Sequence, residues 1–336
     1  MKIAIDAMGG DNSPKAIIAG SLLALKEINS QIVLIGKEEL IKNELDNKKV
    51  DFKRIEILDA KEVVNNEDRP VQAIRKKKNS SMVLGFDLLK ENQVDSFVSA
   101  GNTGALLTGS LLKIGRIKGI DRPALAPIYP TQKGFSILID AGANTNCKPR
   151  NLQEFAIMGS IYLEMVLNIT SPKVGVVNIG TEQGKGNKLV TEAYEVMKKS
   201  SINFYGNIEA RNIPSGIVDV IVCDGFVGNV ILKLTEGVAM NLTSMLKGVF
   251  TRNIMSKIGA LLLKGGLKEF KSRLDYTEYG GAPLLGVKRP VIKAHGSSNA
   301  KAIKNAIKYG EIFSKKGVIE KIEQEISRIG VDNIEE

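Results

Sequence analysis

The residues of this chain best suited to chemistry are small and polar, and they follow apolar runs. The stretches are Asp6-Ala7-Met8-Gly9-Gly10-Asp11, Ser99-Ala100-Gly101-Asn102-Thr103-Gly104-Ala105, Asp140-Ala141-Gly142-Ala143-Asn144, Gly180-Thr181-Glu182-Gln183-Gly184-Lys185-Gly186 and Asp224-Gly225-Phe226-Val227-Gly228-Asn229. Glycine lets backbone N–H groups approach an anion closely. Lys185 adds a full positive charge beside such glycines and is the candidate phosphate ligand. Asn229 and Asn102 can donate amide hydrogens to a phosphate oxygen or to an oxyanion. Gly101, Thr103, Asn144 and Gly228 belong to the same set. Any one loop also reads as an ordinary tight turn. Turn-making alone does not call for Asn102, Thr103, Asn144, Lys185 and Asn229 together.

Other chemistries have few residues to work with. His295 is the single histidine, and Cys147 and Cys223 are the only cysteines. Zinc sites built on several His or Cys ligands are therefore close to excluded, and a Ser-His-Asp triad has only His295 to use. Cys223 closes an apolar run and reads as a buried small side chain, whereas Cys147 lies in a loop beside Lys148. His295 precedes a helix that starts near Ala300, where a binding role and a structural role are both open. The stretch Gly180–Gly186 lacks phosphate-loop spacing, with Gly186 where Ser or Thr would hold Mg²⁺, and no GxGxxG follows the first strand. No metal or organic cofactor is called for.

These loops need strands to carry them. Apolar, β-rich runs cover Lys2–Asp6, Gln31–Ile35, Arg54–Leu58, Asp95–Ser99, Phe135–Asp140, Lys173–Ile179, Ile202–Tyr205 and Asp219–Cys223. Several are continuous, as buried parallel strands require. Helical periods lie between them, at Ala105–Ile114, Leu152–Leu167, Lys188–Lys198 and Val227–Leu246, and an earlier one carries Ile18, Leu22, Leu25 and Ile28 on one face. Ser13 is placed to cap that first helix, with Pro14 at its first position. The alternation predicts an α/β fold: a doubly wound, largely parallel sheet in one continuous domain over residues 1–330. Ligands of such sheets bind beyond the carboxyl ends of the strands, so the loops would share one edge.

The 336 residues carry 47 Lys and Arg against 37 Asp and Glu, a formal charge of +10. That balance suits an acidic protein, an anionic membrane or a phosphorylated ligand. Nucleic acid is disfavoured, because Trp is absent and aromatics make up 5% of the chain. The densest basic cluster is Arg75-Lys76-Lys77-Lys78. No apolar stretch is long enough to span a bilayer, and the N-terminus runs straight into a strand, so a reducing cytoplasm is expected. Residues 241–274 break the strand–helix rhythm. They combine many apolar residues with seven basic and one acidic residue, and Gly265-Gly266 looks like a helix-ending turn. A protruding pair of amphipathic helices suits a membrane contact, and it equally suits packing in a core or between subunits.

Seven motifs in order, the four loops around Asp6, Gly101, Gly142 and Gly228 together with Arg122-Pro123-Ala124-Leu125-Ala126, Tyr279-Gly280-Gly281-Ala282 and His295-Gly296-Ser297-Ser298, resemble the bacterial acyl-ACP:phosphate acyltransferases of phospholipid synthesis. The likeness runs from Met1 to about Ala306. It implies transfer of a fatty acyl group from acyl carrier protein to inorganic phosphate, giving an acyl-phosphate that a membrane acyltransferase passes to glycerol 3-phosphate. It also implies a cytoplasmic homodimer at the membrane surface, and a fold similar to isopropylmalate dehydrogenases and phosphotransacetylases. By the same resemblance, Lys185 and Asn229 serve the active site. The chain departs from the pattern at Asn146, where the family carries Asp. A phosphotransacetylase acting on acyl-CoA and a non-enzymatic basic binding module are the rival readings.

Overall fold

The computed structural model describes residues 1–46, 48, 52–267 and 280–332. All eight sequence-predicted strands are present: β1 (Lys2–Asp6), β2 (Gln31–Gly36), β3 (Ile55–Asp59), β4 (Ser96–Ser99), β7 (Gly134–Ile139), β8 (Val174–Asn178), β9 (Phe204–Glu209) and β10 (Val220–Val222). Four more were not foreseen: β5 (Ala124–Leu125), β6 (Ile128–Thr131), β11 (Ala282–Leu285) and β12 (Val291–Lys293).

The expected single sheet is in fact two. The first has the order β3-β2-β1-β4-β12-β11-β5 and the second β6-β7-β10-β8-β9. In the first, β3 to β12 run parallel, while β11 is antiparallel to β12 and to β5. In the second only β6, beside β7, is antiparallel. One cluster of buried apolar side chains nevertheless takes members from both, among them Ile3, Ile5 and Leu34 with Ile137, Ile139, Val174 and Val176.

The helices cover these sheets as the apolar periods require. They are α1 (Lys15–Ala24), α2 (Glu38–Leu45), α3 (Pro70–Lys76), α4 (Ser81–Lys90), α5 (Thr103–Gly109), α6 (Pro149–Leu167), α7 (Lys188–Lys198), α8 (Gly225–Thr251), α9 (Ile254–Leu262), α10 (Ala300–Lys315) and α11 (Val318–Asp332). Helix α1 begins one residue after Pro14, and Ser13 does not cap it. The Ser13 hydroxyl donates instead to the carbonyls of Met8 and Gly10, at 3.0 and 2.8 Å. Several helices that follow a strand end have a side-chain cap: Asn102 accepts from Ala105 N, Asn187 from Val190 N, Asp224 from Phe226 N and Val227 N, and Asn299 from Ala302 N.

Helix α8 is 27 residues long. It runs past the predicted end of its apolar period, and the chain turns at Arg252-Asn253, where Asn253 caps α9. Gly265-Gly266 are helical rather than the expected turn. Residues 268–274 of the amphipathic segment, and Tyr279, lie outside the described residues. No residue of α9 is buried. Among the described residues no helix is long and apolar enough to cross a membrane.

Candidate active site

The strand ends are fixed by two buried aspartates, one per sheet. Asp6 ends β1, where Oδ1 accepts from Met8 N (3.1 Å) and Ser81 Oγ (2.6 Å), and Oδ2 accepts from Ser99 Oγ (2.7 Å). Asp140 follows β7, where Oδ1 accepts from Leu125 N and Ala143 N (both 3.0 Å), and Oδ2 accepts from Asn144 N (2.6 Å) and Asn144 Nδ2 (2.9 Å). Burial raises the pKa of both carboxyls, and their hydrogen bonds oppose the rise. Each aspartate ties its own strand to neighbouring loops, so the loop backbones are set by the interior of the sheets.

A cavity of about 350 Å³ lies between the two sheets. The first sheet contributes Thr103 after β4, Lys293, His295 and Gly296 at the end of β12, and Gly281 before β11. The second contributes Ala141 and Gly142 after β7 and, from α8, Asn229, Leu232, Lys233 and Glu236. Leu125, Pro127 and Ile128 complete an apolar wall. The converging loops thus meet across an inter-sheet cleft rather than along one edge of a single sheet.

Asn229 is the candidate best served by this placement. It faces the Gly142 backbone and lines the cavity, and its carboxamide has no hydrogen-bond partner among the described residues. Gly228 acts one residue away and differently from the expectation. A Cβ there would lie 1.9 Å from the Asp140 carbonyl oxygen, so glycine is what lets α8 lie against the end of β7. Gly228 positions Asn229 and does not itself face the cavity.

Three other expected residues are committed elsewhere. The Asn102 amide donates to the carbonyls of Asn65 and Asn66, at 3.2 and 2.9 Å, while its oxygen caps α5. The Asn144 amide donates to Asp140 and, at 2.7 Å, to the Pro123 carbonyl. Gly101 N donates to Ser99 Oγ at 3.0 Å. These groups brace the loops, so their hydrogens are not offered to an anion. Thr103 does line the cavity.

Lys185 sits apart from the cavity, on the exposed loop after β8. Its side chain is 52% exposed, and its ammonium pairs with Glu182 at 3.1 Å. Backbone N–H groups and Lys185 hold the Glu182 carboxyl below its ordinary pKa. The Asn178 amide fixes the Lys185 carbonyl at 2.8 Å. The same loop ends at Asn187, which borders a second, shallower hollow with Thr145, Asn146, Cys147, Asp224 and Phe226. Burial, together with Asp140 and Asp224, pushes the Cys147 thiol up to about 12, which leaves it a thiol at neutral pH. Cys223 is buried beside the Asp140 carbonyl, in keeping with a packing role. Residues Arg75–Lys78 close α3. Lys77 is engaged there by Asp68 at 2.5 Å, whereas Arg75, Lys76 and Lys78 face solvent.

The sequence reading overlooked three charged residues of the cavity. Lys233 pairs with Glu236 at 2.7 Å and lies 3.4 Å from His295 Nε2. His295 Nδ1 is 2.8 Å from Ser297 Oγ. Burial lowers the His295 pKa, Glu236 opposes this, and Lys233 and Lys293 add to it, so the imidazole is held towards its neutral form. Lys233 and Glu236 stand one and two helical turns beyond Asn229, a spacing of four and seven visible in the sequence once α8 is known to start at Gly225. Lys293 gives no such signal, because it ends a short apolar strand.

Residues 1–321 match the family described as fatty acid synthesis protein. The chain is 59% identical to the phosphate acyltransferase of Alkaliphilus oremlandii over 335 residues, covering 100% of both chains. It is 56% identical to the phosphate acyltransferase of Thermoanaerobacter pseudethanolicus, covering 98% of each. Among solved structures it is similar in fold to a phosphotransacetylase from Streptococcus pyogenes, with a TM-score of 0.63, 17% identity and 94% of each chain covered. It is also similar in fold to 4-hydroxythreonine-4-phosphate dehydrogenase from Klebsiella pneumoniae, with a TM-score of 0.54, 13% identity, and 94% of this chain and 99% of that one covered.

Proposed function

The chain belongs to the phosphate acyltransferase family and is an acyltransferase, and we propose that it moves a fatty acyl group from acyl carrier protein to inorganic phosphate, releasing acyl-phosphate and the free carrier thiol. The observation that carries this reading is one cavity holding both an apolar wall, Leu125, Pro127, Ile128 and Leu232, and the uncommitted amide of Asn229. The wall suits the acyl chain and the amide suits a developing oxyanion.

A phosphate oxygen attacks the thioester carbon, and the carbonyl oxygen takes up the negative charge. Asn229 donates to that oxygen, and collapse of the tetrahedral species breaks the C–S bond; the leaving sulfur takes up, through solvent, the proton that the phosphate gives up, so the carrier leaves as a thiol. Phosphate at neutral pH is already anionic, so the protein's work is to place two substrates and to stabilise the oxyanion. Transfer is direct, within a ternary complex, which agrees with thiols that stay protonated. Thr103 and His295 orient the substrates from the opposite wall. Lys185 stands outside this cavity, on the exposed loop after β8, where an anionic substrate would compete with Glu182 for its ammonium.

Acyl carrier protein is acidic, and the exposed cations Arg75, Lys76 and Lys78 or those of the α8–α9 arm offer it a docking charge. The apolar face of the same arm is assigned to a homodimer contact and to the surface of an anionic membrane. There the acyl-phosphate passes to a membrane glycerol 3-phosphate acyltransferase, with the protein itself cytoplasmic. Phosphate-dependent thiol release, compared between acyl carrier protein and acyl-CoA as donors, tests the reading. A higher kcat/KM with the carrier protein is expected. A preference for acyl-CoA would instead make the enzyme a phosphotransacetylase.

A further inference from the structure

We propose that Lys293 is a phosphate-binding residue of this site, its ammonium donating to an oxygen of inorganic phosphate in the inter-sheet cavity. The inference deepens the function given above and rests on it. Lys293 is the last residue of β12, a strand held between β4 and β11, and it is 8% exposed. Its Nζ donates to the carbonyls of Ala100, at 3.1 Å, and Ala294, at 2.5 Å. An ammonium has three hydrogens. The third has no partner among the described residues, and the side chain lines the cavity.

Burying a cation without a counter-ion is unfavourable, and such groups are ordinarily paired. No carboxylate of the described residues lies within ion-pairing distance of Lys293. Asp6 and Asp11 act on it only through space, and Lys233 repels it. Burial pulls its pKa down to about 8, which leaves it mostly protonated at pH 7. An anion entering the cavity supplies the missing partner and forms a charge-assisted hydrogen bond to this largely buried ammonium. The two carbonyl contacts fix the ammonium between the ends of β4 and β12. The cation therefore needs little reordering when phosphate arrives.

The test measures inorganic phosphate binding by calorimetry, together with steady-state KM values, for the wild type, Lys293→Met and Lys293→Gln. Loss of a hydrogen bond to a charged group corresponds to about a tenfold or greater rise in phosphate KM and Kd, with the acyl-donor KM changed by less than about twofold. The Gln variant keeps a donor for a loop carbonyl, and thermal melting verifies its fold. A phosphate Kd within about twofold of wild type, or equal rises in both KM values, would overturn the assignment to phosphate. A third measurement uses the wild type alone: phosphate should slow modification of Lys293 by an amine-acylating reagent, read by mass spectrometry, and absence of protection would count against the inference. Calorimetry needs no acyl donor, so phosphate binding through Lys293 without acyl transfer would sink the function and leave this site standing. Normal transfer with unchanged phosphate KM in both variants would do the reverse.

Discussion

The two ends of helix α8 live in different worlds. At its start, Asp224 caps the helix, Gly225 and Gly228 are buried, and Asn229, Lys233 and Glu236 look into the cavity between the sheets. Towards its far end and through α9 the same chain leaves Met245, Val249, Ile254, Met255, Leu261 and Leu262 in the open, with Met255 at 79% and Leu262 at 82% exposure. One end is held by its own fold, with Gly228 packed against the Asp140 carbonyl. The other carries large apolar side chains that stay exposed among the described residues. On the proposed function, the contrast separates two tasks along one helix: chemistry at the rooted end, and contact with something outside the chain at the bare end.

Changes at the rooted end should be felt most. A methyl group added by Gly228→Ala would meet the Asp140 carbonyl oxygen at 1.9 Å. Either the helix or the end of β7 must move, and overpacking of this kind costs roughly 3 kcal/mol or more. Urea unfolding should show that loss, and acyl transfer should fall with it because Asn229 is displaced. A variant with wild-type stability would mean that the two elements are not locked together.

At the bare end, Leu262→Glu combined with Leu263→Glu should leave the urea midpoint nearly unchanged. Surface changes are usually worth within about 0.5 kcal/mol. The same pair should sharply reduce flotation with anionic vesicles, since binding by an amphipathic face scales with its apolar area. A large drop in stability would show that the arm packs on its own subunit, and undiminished flotation would remove the lipid assignment.

Much of this was legible in the chain, and the gaps have physical causes. Long apolar runs announced the eight strands because buried parallel strands need side chains of one kind on both faces. Strands β5, β6, β11 and β12 stayed hidden because they are two to four residues long and two of them contain proline, Pro130 and Pro283. Local periodicity says nothing about which strands pair, so the division into two sheets was out of reach. At the site, glycine-flanked amides singled out Asn229, which the fold places in the cavity wall. They also singled out Asn102 and Asn144, whose amides brace loops, because an amide that braces a loop and one that meets a ligand have the same sequence signature. Lys293 was passed over for the opposite reason: a cation at the end of a short apolar strand looks like a surface residue until its burial and its bond to the Ala100 carbonyl are seen.

In the proposed reaction the acyl group passes to phosphate in the inter-sheet cavity under the amide of Asn229. Its most direct test is the turnover number of Asn229→Ala with acyl carrier protein as donor, measured on protein whose melting temperature matches wild type. Removing one oxyanion donor should lower kcat on the order of 10²–10³-fold. A kcat close to wild type in well-folded protein would contradict the account.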